Sequence, residues 1–153
     1  MSRRKSILLV FRSRLQEIAI AKGFRTNAGQ HVFLNEAPTF GLGDPPEAIA
    51  IMAGLETIAS RQGEHVIVSL PVNIQAIVQE TNLDEPWEVV EDVIADIKQA
   101  IELEDRTLGR LTFKTGIERG PTQTLEREPG SEYTGAQVPY VAPFGEVWGH
   151  PDS

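Results

Sequence analysis

Two stretches of this sequence hold residue types whose spacing could do chemistry. The first is KGFRTNAGQHVF at 22–33, where Gly23 and Gly29 bracket a short polar run. Glycines so placed can cradle a phosphate, provided the loop leaves a strand and enters a helix, so that backbone N–H groups and the positive helix terminus point at the anion. Here a helical pattern precedes the glycines, a strand pattern follows them, and no lysine follows Gly29. The stretch therefore reads as a helix-to-strand turn. The second is a carboxylate row, Glu88, Asp92 and Asp96, repeating every four residues, with Glu91 beside it. Like charges at that spacing oppose a helix by a few tenths of a kcal/mol per pair. A divalent cation would relieve the repulsion, but one helix face offers poor coordination geometry, so a solvated acidic surface is expected. His31, His65 and His150 form no metal-ligand spacing, no serine sits in a nucleophile elbow, and there is no cysteine. No catalytic group and no cofactor is expected.

The elements that must position these residues follow from periodicity. Ile7, Leu8, Phe11, Leu15 and Ile18 fall within about 100° on a helical wheel, which predicts an amphipathic helix running to a C-cap at Gly23. Gln30–Leu34 reads as a strand, 36–47 as a loop, and 48–60 as a strand interrupted at Gly54. Arg61, Gln62, Gly63 and Glu64 read as a hairpin turn, with Gly63 free to take positive φ. From Val66 to Val78 every even position is apolar, the period of a strand with one buried face. Pro71, on the outward series, cannot donate to a ladder, which predicts an edge or bulge there. DEPWEVVEDVIADIKQAIEL is a second helix. It has Asp84 or Glu85 at its cap, Pro86 in its first turn, and Glu88, Glu91, Asp92, Asp96, Lys98, Gln99 and Glu102 on its polar side. Leu111–Thr115 reads as a strand, 118–136 as a long flexible loop, and Gln137–Trp148 as a strand broken by Pro139 and Pro143 in an extended C-terminal tail. The order is α-β-β-β-α-β-β, so the expected fold is a single α+β domain over 1–153 with a mixed, mostly antiparallel sheet and two main helices.

With 153 residues the chain can bury a core without staples. The absence of cysteine fits a reducing compartment, and ILLVF near the start is too short and too closely followed by arginine for a signal peptide. A soluble intracellular protein with no membrane span is expected. The net charge of −8 argues against a free-standing nucleic-acid binder. Its distribution is uneven. Residues 1–25 carry seven Lys or Arg and one Glu, a local +6, whereas residues 80–105 carry ten Asp or Glu and one Lys, a local −9. Such polarity suits copies that pack head to tail, with Arg3, Arg4, Lys5, Leu9 and Ile20 as candidate subunit contacts.

Several segments in this order carry a resemblance: a helix ending AxG, then FRTNAGQHVF, then PPEAIAI before a long hairpin, then EDVIADIKQAI. From about Leu8 to Phe113 the chain resembles tail terminator proteins of long-tailed bacteriophages and prophages, the minor tail protein U-like group. The resemblance implies a structural protein with a helix-flanked sheet that assembles as a homohexameric ring. Such a ring caps the tail tube, stops its polymerisation and presents a joining surface to the head or neck connector protein. It also implies the head-proximal end of the virion tail as location, host cytoplasm during assembly, and a lumen through which DNA passes. Glu88, Glu91, Asp92 and Asp96 are then candidates for the lumen or an interface, and the Arg61–Glu64 hairpin for contact with neighbours or tube. A neck or head-completion protein of the same virion, and a small acidic ligand-binding domain or enzyme, are the alternatives.

Overall fold

Alternation at 65–79 sets the architecture. The computed structural model describes residues 1–81 and 83–152. Its elements are α1 (Arg3–Gln16), β1 (Val32–Leu34), β2 (Glu47–Ala53), β3 (Thr57–Gln62), β4 (His65–Gln79), α2 (Pro86–Glu102), β5 (Glu118–Arg119), β6 (Gln123–Leu125) and β7 (Tyr133–Val147). The fold is α+β, with two helices and one mixed, mostly antiparallel seven-stranded sheet. The order β1-β2-β4-β7-β5 forms the main path, β3 pairs with β4, and β6 pairs with β7. Among the described residues only β1 and β2 run parallel.

Every even residue of β4 from Val66 to Val78 is buried, and these meet the even residues of β7 from Ala136 to Phe144 on one face. Ile7, Phe11 and Leu15 of α1 and Val93, Ile97 and Ile101 of α2 join the same core. Each fully buried Ile or Phe contributes about 1.5–3 kcal/mol of transfer free energy, so this face holds the fold. Both helices cover it, and none covers the other face. There the odd residues of β4 and β7, Gly135 apart, are half-buried or exposed, with a polar row in which Asn73 Nδ2 donates to Gln137 (3.0 Å) and Gln137 Nε2 to Gln123 (2.9 Å).

Four boundaries differ from the sequence reading. The first helix stops at Gln16, and Gly23, with φ 91°, closes a separate single turn at Ile20–Lys22. The expected interrupted strand at 48–60 is two strands, because Gly54 turns against Pro71 and donates its N–H to the Pro71 carbonyl (2.8 Å). Residues 111–115 make turns and no strand. The segment 118–136, expected as one long loop, contains β5, β6 and the start of β7.

The prolines explain why β7 is unbroken. Pro71, Pro139 and Pro143 all occupy odd positions of the β4–β7 register, paired with Val141, Asn73 and Ser69. Their carbonyls accept from Gly54, Gly120 and Phe113, all outside that ladder. A missing N–H on the outward side costs the ladder nothing, so β4 and β7 pair along all fifteen residues. Pro71 sits where the second neighbour of β4 changes, since β2 stops at Val72 and β3 starts at Ser69. Beyond β7 the chain folds back on α1, with the Arg3 N–H donating to the Pro151 carbonyl (3.0 Å), so the tail is not extended.

Candidate functional site

The turn at 24–30 does bind an anion, and the anion belongs to the protein. Asp96 of α2 is fully buried and accepts from Arg25 N (3.0 Å), Thr26 N (2.8 Å), Thr26 Oγ1 (2.8 Å) and the Arg25 guanidinium (3.1 Å). The next N–H, of Asn27, donates to Glu47 of β2 (3.2 Å). Successive backbone donors thus grip two internal carboxylates. Asp96 is therefore no lumen or surface residue, which corrects its place in the acidic row: the wheel turns its side chain toward the turn, where burial is compensated by four hydrogen bonds.

Glu88, Glu91 and Asp92 are exposed, and among the described residues none of them forms an ion pair. Trp87 joins them, 59% exposed, its indole N–H bound to Glu85 (2.7 Å). Glu85 occupies the N-cap position of α2 without a capping bond from its side chain, and Pro86 opens the helix.

The expected basic contact segment is largely committed inside the chain. Arg4 pairs with Glu56 (2.7 Å), Ser2 caps α1 by accepting from Lys5 N (3.1 Å), and Arg3 is half-buried. Leu9 is half-buried on α1, while Ile20 lies off the helix on the single turn, 57% exposed. Lys5, Leu9 and Ile20 do not share one helical face. Arg14, in the last turn of α1, caps α2 instead, donating to the carbonyls of Ile101 (3.0 Å) and Asp105 (2.6 Å) where the helix dipole is negative. With Lys22 paired to Glu17, this neutralises a recess of about 480 Å³ between the two helix ends.

The hairpin tip is tighter than expected. Gln62 pairs with His65, so only Gly63 and Glu64 form the turn, and Arg61 and Gln62 belong to β3. Gly63 takes φ 63°, which glycine adopts without strain. All six residues of β3 are exposed. Arg61 stacks on Trp148, 4.3 Å from the ring centre, and donates to the Gly63 carbonyl (3.1 Å).

Sequence reasoning missed a cleft of about 350 Å³ beyond the end of α2, lined by Glu102, Arg106, Ile117, Arg119 and Tyr140. Tyr140 and Ile117 form its buried floor. The Tyr140 hydroxyl donates to Glu102 (2.8 Å), and burial, then that hydrogen bond, holds its pKa far above the usual tyrosine range. Arg119 approaches Glu102 at 3.5 Å, and Arg106 donates to the Ile117 carbonyl (3.3 Å) and has no carboxylate partner among the described residues. The cations at 106, 110, 114 and 119 were the signal in the sequence. The cleft is held by the preceding bend, where Asp105 accepts from Thr107 Oγ1 (2.6 Å), Thr107 N (2.9 Å) and Gly109 N (2.9 Å). These bonds, the Thr107 hydroxyl first, lower the Asp105 pKa to about 2. Among the described residues no three His, Asp or Glu side chains are placed to hold a metal ion, and no helix is long and apolar enough to cross a membrane. No family model matches the chain, and no curated protein matches it.

Proposed function

We propose that the protein is a non-enzymatic assembly protein of the tail-terminator kind. Identical copies close head to tail into a ring, six-fold by the resemblance. The ring caps the tail tube of a long-tailed phage or prophage, arrests its growth and offers a joining surface to the head or neck connector. DNA only passes through its lumen. The observation that carries this reading is β3, whose six residues are all exposed while it extends the sheet beyond β2. A strand that buries nothing in its own chain leaves an edge of backbone donors and acceptors to be covered by another. The sheet face without helices supports the same reading, because it gives each copy a second broad surface.

The test is to add the protein, below one ring per tube, to polymerising tube protein. Tube lengths and end-bound density would be measured by electron microscopy. Short tubes with one decorated end are expected. Full-length tubes with no bound protein would overturn the proposal, and binding to the head vertex alone would assign the protein to the neck.

A further inference from the structure

We infer that the two ends of α2 form the two halves of one joint between neighbouring copies: the Trp87–Asp92 face of one copy seats in the Arg106–Arg119 cleft of the next. The inference rests on the ring reading for the assembled state, but the joint itself is a property of the isolated protein.

The argument starts from which charges have partners. Arg4, Arg14, Lys22 and Arg25 of the basic N-terminal segment are all paired within the chain. Of its other three cations, none of which forms an ion pair among the described residues, Arg3 and Arg12 are half-buried and Lys5 is exposed, so the basic surface the sequence suggested as the acidic helix's counterpart is reduced. Among the described residues Arg106, Arg110 and Lys114 have no ion pair, and Arg119 meets only Glu102, which it shares with Tyr140. Two guanidinia therefore face one carboxylate in the cleft, leaving it net positive over an aromatic and aliphatic floor. At the other end Glu88, Glu91 and Asp92 have no cation partner among the described residues. The helix dipole accounts for an acid in the first turn, at Glu88, and its influence fades by Glu91 and Asp92.

The two sets cannot neutralise each other within one chain. They lie on the order of 20 Å apart along the helix axis, well beyond ion-pair reach and beyond the Debye length at physiological salt. A second copy brings them together without strain, and because the surfaces differ, the contact is head to tail and repeats. Trp87 gives the acidic half a reason to prefer guanidinium, since its open ring can stack on an arginine as Trp148 does on Arg61. Tryptophan and arginine are also the residues that concentrate binding energy at interfaces.

Charge reversal on each side tests the joint. One variant carries Glu88→Lys and Asp92→Lys, the other Arg106→Glu and Arg119→Glu. Sedimentation equilibrium would follow self-association of wild type, each variant and their mixture, in low and high salt. Wild type is expected to associate in a salt-sensitive way, and each variant to associate about tenfold more weakly or worse. The mixture should recover wild-type association, because each reversed face then meets its complement. A thermal melt by circular dichroism checks the fold. If the cleft variant is unfolded, Arg106→Gln with Arg119→Gln replaces it, and weaker association is still expected. Wild type that is monomeric throughout, a variant that associates normally, or a mixture that fails to recover would each overturn the joint. So would a cleft variant that associates normally but loses binding to added duplex DNA, which would give the cleft to nucleic acid. Tube arrest on the same variants separates the two ideas: arrest retained without self-association overturns only the joint, and self-association without arrest overturns only capping.

Discussion

Two polar bends marked by glycine, the turn at 24–30 and the hairpin at 61–65, look alike in sequence and are opposite in structure. Into the first reach Asp96 from α2 and Glu47 from β2, which take the N–H groups of Arg25, Thr26 and Asn27. The second receives no buried side chain from the core: Arg61 contacts Gly63 and stacks on Trp148, and the Glu64 carbonyl accepts from the Trp148 N–H (2.7 Å). A bend is structural when buried acceptors are aimed at it. Without them, it is presented to solvent or to a partner.

The sharpest way to break that comparison is Asp96→Ala. It leaves three donors of the turn unpaired, two of them on the buried Thr26, and removes the ion-pair partner of Arg25, whose guanidinium keeps its bond to Gln99. A loss of about 3 kcal/mol is expected, lowering Tm by roughly 6–12 °C for a chain of this length. Asp96→Asn, which keeps one acceptor, should lose about half as much. A melt unchanged within a degree would mean that the turn is held by something else.

Gly29→Ala comes next. A Cβ there would lie 2.4 Å from the Ile18 carbonyl oxygen and 2.7 Å from that of Gln16, both backbone atoms that cannot swing away. The expected cost is about 2 kcal/mol, read from urea unfolding at unchanged m-value. Gly63→Ala at the hairpin has open space around its Cβ and strains only the left-handed backbone, so its cost should be about 1 kcal/mol. Equal costs at the two glycines would erase the distinction.

What the sequence revealed, and what it hid, follows the same division. The alternation from Val66 to Val78 was legible because one face of β4 meets apolar neighbours throughout. β7 was not, because Pro139 and Pro143 read as breakers until the register places their missing N–H groups outside the ladder. Asp96 was misread by its chemical type. On a helical wheel it stands only about 20° from Val89 and about 40° from Ala100, at the margin of the apolar arc. That position was a usable signal that one acid of the row points inward. The cleft stayed hidden because Tyr140, Glu102 and Arg119 come from three separated elements, and no local pattern joins them.

A third bend, at 105–110, lies between the extremes. Asp105 closes it from the exposed side, with a pKa lowered to about 2 from an ordinary 3.8. Because the folded value is the lower, the contribution is fully present above the unfolded value and is lost as pH falls from about 4 through about 2. The group is exposed, so the effect on global stability is expected to be small. NMR titration should place the amide shifts of Thr107 and Gly109 on a midpoint near 2, while Asp105→Asn abolishes that step. A midpoint near 4 would show the bend open in solution.

The smallest effect on stability is expected at the hairpin, and it is the most informative about function. Ile58 of β3 is 58% exposed and opposes Val68 across the β3–β4 ladder. If β3 belongs to the neighbour or the tube rather than to its own core, Ile58→Asp should change unfolding free energy by no more than about 0.5 kcal/mol. An apolar contact in an interface loses far more when a carboxylate is buried there, so the same variant should fail to arrest tube growth or to join a ring. Chemical denaturation and tube-length measurement on one protein preparation decide between three outcomes. Stability kept and arrest lost assigns β3 to a partner. Stability lost by more than about 1 kcal/mol returns β3 to its own fold and dissolves the contrast with the 24–30 turn. Both kept would leave the strand at the ring's solvent surface and shift the contact to the open face of the sheet.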